Sequence, residues 1–339
     1  MTTPDCRILG GSPAELEARL ARFSRQPVDR EWRPEQSAAH ERQTTIARPV
    51  AVTGQGTFFG RARRTLHFEP ATQGGWWFDR RDLPDQMPIR VAADTVWTTH
   101  RNIVLCSGSP HNYMRMVEHI IALKRGLELD HLLIRMDSGD PPLFDRGSMD
   151  LVEALEQAGR RTLDPPVNYV TVRQPVAMLG PRDSFLIFRP CPGPQPVLDL
   201  DCAVDFRTAI RRQRLRVRIT PETVRYGALA RTNCTFWQMV FSKTIGQLFA
   251  DVRNLGYTTR NILIASRFGY FNTPGLLHEG KSLEAVWHRA ILDLTAAIAL
   301  IAEGRFVGEV LSYKAGHTLD VAMIRALYAQ DLLCPYPVA

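Results

Sequence analysis

Tyr113-Met-Arg-Met-Val-Glu-His-Ile-Ile-Ala-Leu-Lys-Arg-Gly126 is the stretch around which the rest of the chain is read. Apolar residues at Val117, Ile120, Ile121 and Leu123 follow a helical period, and Gly126 supplies a stop. Glu118 and His119 stand side by side within it, and successive helix positions point about 100° apart. Such a pair can serve one site, the imidazole holding a metal and the carboxylate facing a water that the metal activates. Two later stretches complement it: His288-Arg-Ala-Ile-Leu-Asp293, on a second apolar-periodic helix, and Tyr313-Lys-Ala-Gly-His317, just before a third. Each has a plainer reading when taken alone, as a packed core histidine or a helix cap.

The 339 residues suffice for two domains and a sizeable core. With 45% hydrophobic and 23% charged residues the composition is that of a soluble globular protein, and no apolar run approaches the roughly 18 residues of a membrane span. The first residues carry no secretory pattern, so a cytoplasmic location is expected. Six scattered cysteines without a C-x-x-C pair argue against a zinc ribbon and against a disulfide scaffold. The net charge of +7 suits an anionic ligand without choosing among nucleotide, phospholipid and nucleic acid.

Residues 1–42 read as an appended helix and linker, with Ser12 as N-cap and Pro13 at the first helical position. From Arg42 the texture is that of strands. Gly54-Gln-Gly56-Thr-Phe-Phe-Gly60 reads as a hairpin connection, because no helix follows its glycines as a phosphate loop requires. Asp164-Pro-Pro166 makes a stiff break, which sets a first α+β domain at 43–164 and a second at 165–339. Phe236 to Arg253, Leu283 to Ala302 and Asp320 to Gln330 read as helices of the second. Arg214, Arg216 and Arg218 would line one face of a strand, read here as a solvated face; without interleaved aromatics it does not point to nucleic acid.

In order along the chain come Gln43-Thr44-Thr45-Ile46 with Thr53-Gly-Gln-Gly56, Val117-Glu-His119 with Gly126 to Asp130, and Pro142-Leu-Phe-Asp145 with Gly147-Ser148. Arg231-Thr232, Asn261-Ile-Leu-Ile, His288 and Tyr313-Lys-Ala-Gly-His317-Thr-Leu follow. This series resembles the UDP-3-O-acyl-N-acetylglucosamine deacetylases, the zinc amidases of lipid A synthesis, from about Gln43 to the C-terminus. The resemblance implies two similar α+β domains with their helices sandwiched between two sheets and a metal site at the interface. It also implies His119 and His288 as zinc ligands, Glu118 as general base, Thr232 as oxyanion donor and His317 as general acid. Arg289 and Lys314 become expected substrate contacts, Arg289 with the diphosphate.

The sequence departs from that family in four places, one of them the region between Phe236 and Asn261, which in the family contains the passage for the fatty acyl chain and is here longer and rewritten. The family's third ligand is an aspartate four residues after the histidine, whereas Asp293 comes five after His288, about 140° away on a regular helix. A π-bulge would restore the shared face and keep Asp293 as a ligand; the alternatives are Glu284 or no third protein ligand. A second family aspartate, near the catalytic histidine, is replaced in the region of Ala296-Ala297, and the histidine of the family's glycine loop is absent from Gly56–Gly60.

The expectation is therefore a monomeric zinc-dependent N-deacetylase with one Zn2+ per chain, although two histidines and a carboxylate also suit Fe2+ or Co2+. Its substrate would be a small acylated amino-sugar nucleotide, or another N-acyl compound if the chain is a paralogue. Neither nucleic acid nor more than peripheral membrane contact is expected. A ligand-binding relic of the fold is the non-catalytic alternative.

Overall fold

The protein is seen in a computed structural model that describes residues 6–35, 41–58, 62–248 and 255–337. Its helices are α1 (Pro13–Arg25), α2 (Glu118–Gly126), α3 (Met149–Ala158), α4 (Pro221–Gly227), α5 (Phe236–Lys243), α6 (Glu284–Trp287), α7 (Thr295–Ile298) and α8 (His317–Ala329). A π-helical turn, His288–Leu294, joins α6 to α7.

Two large sheets frame these helices. A six-stranded sheet orders Pro142–Leu143, Val50–Gly56, Arg63–Pro70, Leu132–Met136, Trp76–Arg80 and Ile89–Arg90. A seven-stranded sheet orders Arg7–Ile8, Val176–Leu179, Phe185–Arg189, Gly308–Tyr313, Leu198–Asp205, Arg212–Arg218 and Arg30–Trp32. One apolar cluster runs from Leu66, Phe68, Trp76 and Phe78 of the first sheet through α2, α3, α6, the π turn, α7 and α8 to Phe188, Leu200, Leu215 and Val217 of the second. The mixed α+β architecture is the expected one, with helices between sheets because both sheets turn an apolar face inward.

The N-terminal segment is not a detached linker. Arg7–Ile8 and Arg30–Trp32 form the two edges of the seven-stranded sheet, each paired in parallel. The helix between them is capped by Ser12 with Glu15 and packs Leu16 and Phe23 against Phe185, Ile187 and Tyr313. This also overturns the solvated arginine face. Arg214, 4% exposed, forms a bidentate pair with Asp201 on the adjacent strand and donates to the carbonyls of Phe23 and Gln26. Arg216 and Arg218 likewise reach Asp201 and Asp199. Opposite charges face each other across the two strands, so the row neutralises itself beneath α1.

The hairpin reading of the glycine-rich turn holds, since Val50–Gly56 pairs antiparallel with Arg63–Pro70; Phe59 and Gly60 lie outside the described residues. The Phe236–Arg253 helix is shorter than expected, ending at Lys243 with a 3-10 turn at Ile245–Leu248, and residues 249–254 lie outside the described set. The helix expected from Tyr113 begins only at Glu118. Tyr113–Met114 is a short strand, and Met116 takes the left-handed value φ = 49°. The Met116 N–H donates to Asn102 Oδ1 and the Val117 N–H to the Ile103 carbonyl, which holds this turn. Glu118 and His119 thus open α2 instead of standing in its middle.

Candidate metal and catalytic centre

Four elements bring the expected residues together. α2 supplies Glu118 and His119, the strand Thr232–Cys234 supplies Thr232, the π turn supplies His288 and Asp293, and α8 opens on His317. His119 Nε2 lies 3.3 Å from His288 Nε2. Thr232 Oγ1 stands 2.9 Å from His288 Nε2 and 3.3 Å from His119 Nε2. On the other side of the His119 ring, Ser148 Oγ is 3.3 Å from Nδ1 and donates to the His119 carbonyl at 3.2 Å. Burial, and next the neighbouring His288, press the His119 imidazole down to about 3, which keeps it neutral, the form that ligates metals.

The π turn explains how Asp293 joins this group. Its i→i+5 bonding closes a turn in five residues, so His288 and Asp293 share a face. Asp293 Oδ1 lies 3.3 Å from His288 Nδ1 and 3.7 Å from His317 Nε2, yet this buried oxygen has no hydrogen-bond partner among the described residues. Burial pulls the His288 imidazole down, but Asp293, with Glu118 and Glu284, outweighs it and leaves the ring above its ordinary range. The Asp293 carboxyl is held low, His288 and His317 overcoming the larger upward push of burial.

Glu118 is anchored on one oxygen and free to act with the other. Oε2 accepts the Ile103 N–H at 3.1 Å, and Oε1 faces His317 Nε2 at 3.8 Å. Burial raises this carboxyl above the usual range, with His317 opposing. The His317 Nδ1 is buried and has no hydrogen-bond partner among the described residues, and the positions that lack the family aspartate, Ala296 and Ala297, are buried apolar residues.

As they stand, no three His, Cys, Asp or Glu side chains among the described residues close around a single point. The reason is visible: Asp293 meets the Nδ1 edge of His288, and His119 meets the Nε2 edge. The donor set nonetheless suits a divalent cation. Two nitrogens each bound at 2.0–2.1 Å in tetrahedral geometry stand about 3.3 Å apart, the separation seen here. The unpartnered oxygen of an ionised, buried carboxylate beside them calls for a cation.

Glu284, the alternative ligand, is fully engaged elsewhere. Its oxygens accept from Arg231 N, Nε and Nη2 and from Gly275 N at 2.6–3.1 Å. The expected diphosphate contact at Arg289 is corrected by its surroundings. Arg289 is 4% exposed, and its guanidinium forks onto Asp320 at 2.5 and 2.6 Å while reaching Ser312 Oγ. Nε, Nη1 and Nη2 are all engaged inside the protein, and the guanidinium is turned away from solvent. Lys314 takes φ = 52° and turns its ammonium toward Asp205 at 3.7 Å, a loose pair at the ends of two central strands of the second sheet.

Ser148 and Asp320 carry structure at this centre without having been assigned a part from sequence, Ser148 beside His119 and Asp320 as the partner of Arg289. A metal-binding imidazole needs a partner for its second nitrogen, which could have directed attention to the Gly147-Ser148 motif. There Gly147 takes φ = 65°, and a β-carbon would meet the Ala228 carbonyl oxygen at 2.4 Å, so only glycine lets Ser148 reach His119.

Residues 43–329 match the family described as UDP-3-O-acyl N-acetylglycosamine deacetylase. Among relatives named UDP-3-O-acyl-N-acetylglucosamine deacetylase, that of Syntrophus aciditrophicus is 26% identical over 85% of this chain and 87% of its own length. That of Anaeromyxobacter sp. is 28% identical over 85% and 88%, and that of Shewanella baltica 27% over 85% and 90%. Over nearly the whole of its two-sheet frame, the chain belongs to the UDP-3-O-acyl N-acetylglycosamine deacetylase family.

Proposed function

We propose that the chain is a zinc-dependent amidohydrolase that removes the N-acetyl group of an acylated UDP-N-acetylglucosamine. The observation that carries this reading is the approach of the His119 and His288 Nε2 atoms to 3.3 Å, with Glu118, Thr232, Asp293 and His317 around them. His119, His288 and Asp293 would hold the metal. Zinc there would supply Lewis-acid polarisation of an amide carbonyl and lower the pKa of water.

The remaining side chains then divide the proton chemistry. Glu118 Oε1 takes a proton from the attacking water, its other oxygen being pinned by Ile103. The Thr232 hydroxyl donates to the oxygen that gains charge as the carbonyl is attacked. His317 Nε2, 3.8 Å from Glu118 Oε1, gives a proton to the departing amine. Water and amide become acetic acid and amine, which leave as acetate and ammonium, with one proton taken up by Glu118 and one given by His317. A cytoplasmic, monomeric enzyme acting on a small molecule goes with this reading.

The test is acetate release from a 3-O-acylated UDP-N-acetylglucosamine by zinc-loaded protein. The expected result is turnover that is lost in Glu118→Ala while zinc content stays unchanged. Turnover confined to other N-acyl amides would assign the same chemistry to a paralogous substrate, for which the altered Gly56–Gly60 loop provides the motive. Protein that takes up no zinc and hydrolyses none of them would refute both.

A further inference from the structure

At the end of α2 away from Glu118 and His119, the C-terminal ends of α2 and α7 and the strand Ile89–Arg90 enclose a cavity of about 230 Å3. None of Glu118, His119, Thr232, His288, Asp293 and His317 lines it. Arg90, Ala302 and Glu303 also line a second chamber of about 510 Å3, whose further walls include Ala92, Ala93, Tyr328 and Ala329. A charged cavity therefore opens onto one walled mainly by small apolar side chains and a tyrosine ring. The other charged residues of the second chamber are the exposed Asp94 and Arg325, which donates to the Ala93 and Val96 carbonyls.

The acids of the first cavity are answered within the protein, and its cations are not all answered. Asp130 takes Arg305 at 2.7 Å, and Glu303 accepts the Tyr328 hydroxyl. An ammonium has three donors. Lys124 gives two to the Ala299 and Ile301 carbonyls and makes no ion pair among the described residues. Arg90 makes neither a side-chain hydrogen bond nor an ion pair among them. Arg125 and Arg305 are each 4% exposed, yet Nη1 of both is buried without a hydrogen-bond partner, the Glu128 carboxylate standing 3.8 Å from each. Capping the last carbonyls of α7 accounts for Lys124, but not for Arg90 or the two Nη1 atoms. Desolvated donors of this kind call for an acceptor, and several converging on one cavity suit an oxyanion.

We propose that this cavity binds a small molecule with an oxyanion head, a carboxylate or a phosphate ester, held between Arg90 and Lys124, with its apolar body in the adjoining chamber. Burial first, and Arg90 among the neighbouring charges, press the free Lys124 amine down to about 8 against the pull of Asp130 and Glu303. A bound anion raises it again, which gives the binding a direct signal.

Nuclear magnetic resonance of the full chain carrying 13Cε-lysine tests it, because Lys124, Lys243, Lys281 and Lys314 are its four lysines. Phenyl phosphate, benzoate and inorganic phosphate are the probes, with benzylammonium as the cationic control. The anions should displace the Lys124 signal saturably and move its titration upward. Tighter binding of phenyl phosphate than of benzoate would make the head a phosphate ester, and the reverse a carboxylate. Phenyl phosphate should bind at least about tenfold tighter than inorganic phosphate, since its ring enters the second chamber; equal binding would overturn that placement. Arg90→Gln, at a part-exposed position, should weaken binding at least about tenfold. Lys124→Met should do the same, read by the loss of the ligand-induced rise in Tm. Circular dichroism controls for folding. No saturable displacement of Lys124 up to roughly 10 mM anion, an equal response to benzylammonium, or binding untouched by Arg90→Gln would overturn the proposal. So would displacement of Lys314 in place of Lys124, which would put the anion elsewhere on the chain.

Discussion

Asp293 Oδ1 stands 3.3 Å from His288 Nδ1 although five residues of chain separate them, because the intervening turn is π-helical instead of α-helical. On a regular helix the same pair would point about 140° apart. One extra residue is absorbed locally, and the carboxylate stays with the two imidazoles. Asp293→Asn keeps the shape and removes the charge. It is expected to weaken zinc affinity by at least about 10–100-fold in chelator competition, with the fold retained by circular dichroism. Unchanged affinity would remove Asp293 from the ligand set.

Arg289 and Asp320 tie the π turn to α8, and so tie His288 and Asp293 to His317. Both are buried and the fork is bidentate, so removing one partner strands the other's charge. Arg289→Ala should cost about 3–5 kcal/mol in urea unfolding. The double change Arg289→Met, Asp320→Leu should recover most of that, since an apolar pair of similar volume needs no compensation. A substrate-binding role for Arg289 would instead appear as a raised KM with little loss of stability.

Lys124, at the far end of α2, donates to the carbonyls of Ala299 and Ile301. Burial depresses its amine from 10.5 to about 8, with Asp130 opposing. Below pH 8 both folded and unfolded chains carry the proton. Between about 8 and 10.5 the unfolded chain binds it and the folded chain does not, so this group's contribution to stability rises with pH. Lys124→Met lacks that rise. Its stability relative to the parent should therefore fall between pH 7.5 and 10, by an amount bounded by about 3 kcal/mol and reduced by the partial exposure of the side chain. A pH-independent difference in urea unfolding would contradict the depressed amine.

Much of the frame was readable because it is local. Apolar periodicity marked α8, and the glycine-rich hairpin declared itself by what did not follow it. The reading failed where pairing is long-range. Arg7–Ile8 and Arg30–Trp32 are too short to show alternation, and only their partners, Val176–Ala177 and Leu215–Val217, make them strands. The helix start at Glu118 was obscured because Met114 and Val117 continue the apolar period across a strand and a left-handed residue. The commitment of Arg289 to Asp320 and of Glu284 to Arg231 likewise joins residues far apart in sequence. At the centre, Glu118, His119, His288 and His317 could be picked out as residue types in order, and the fold brings them together, whereas Ser148 entered only through its position beside His119.

The central claim is that His119 and His288 share one divalent ion. Anomalous diffraction at the zinc edge, from crystals of zinc-reconstituted protein, tests it most directly. The account predicts one peak per chain, about 2.0–2.1 Å from the Nε2 atoms of both histidines and within ligand reach of Asp293. A peak touching only one of the two imidazoles, or a zinc-loaded protein whose metal lies elsewhere, would contradict it.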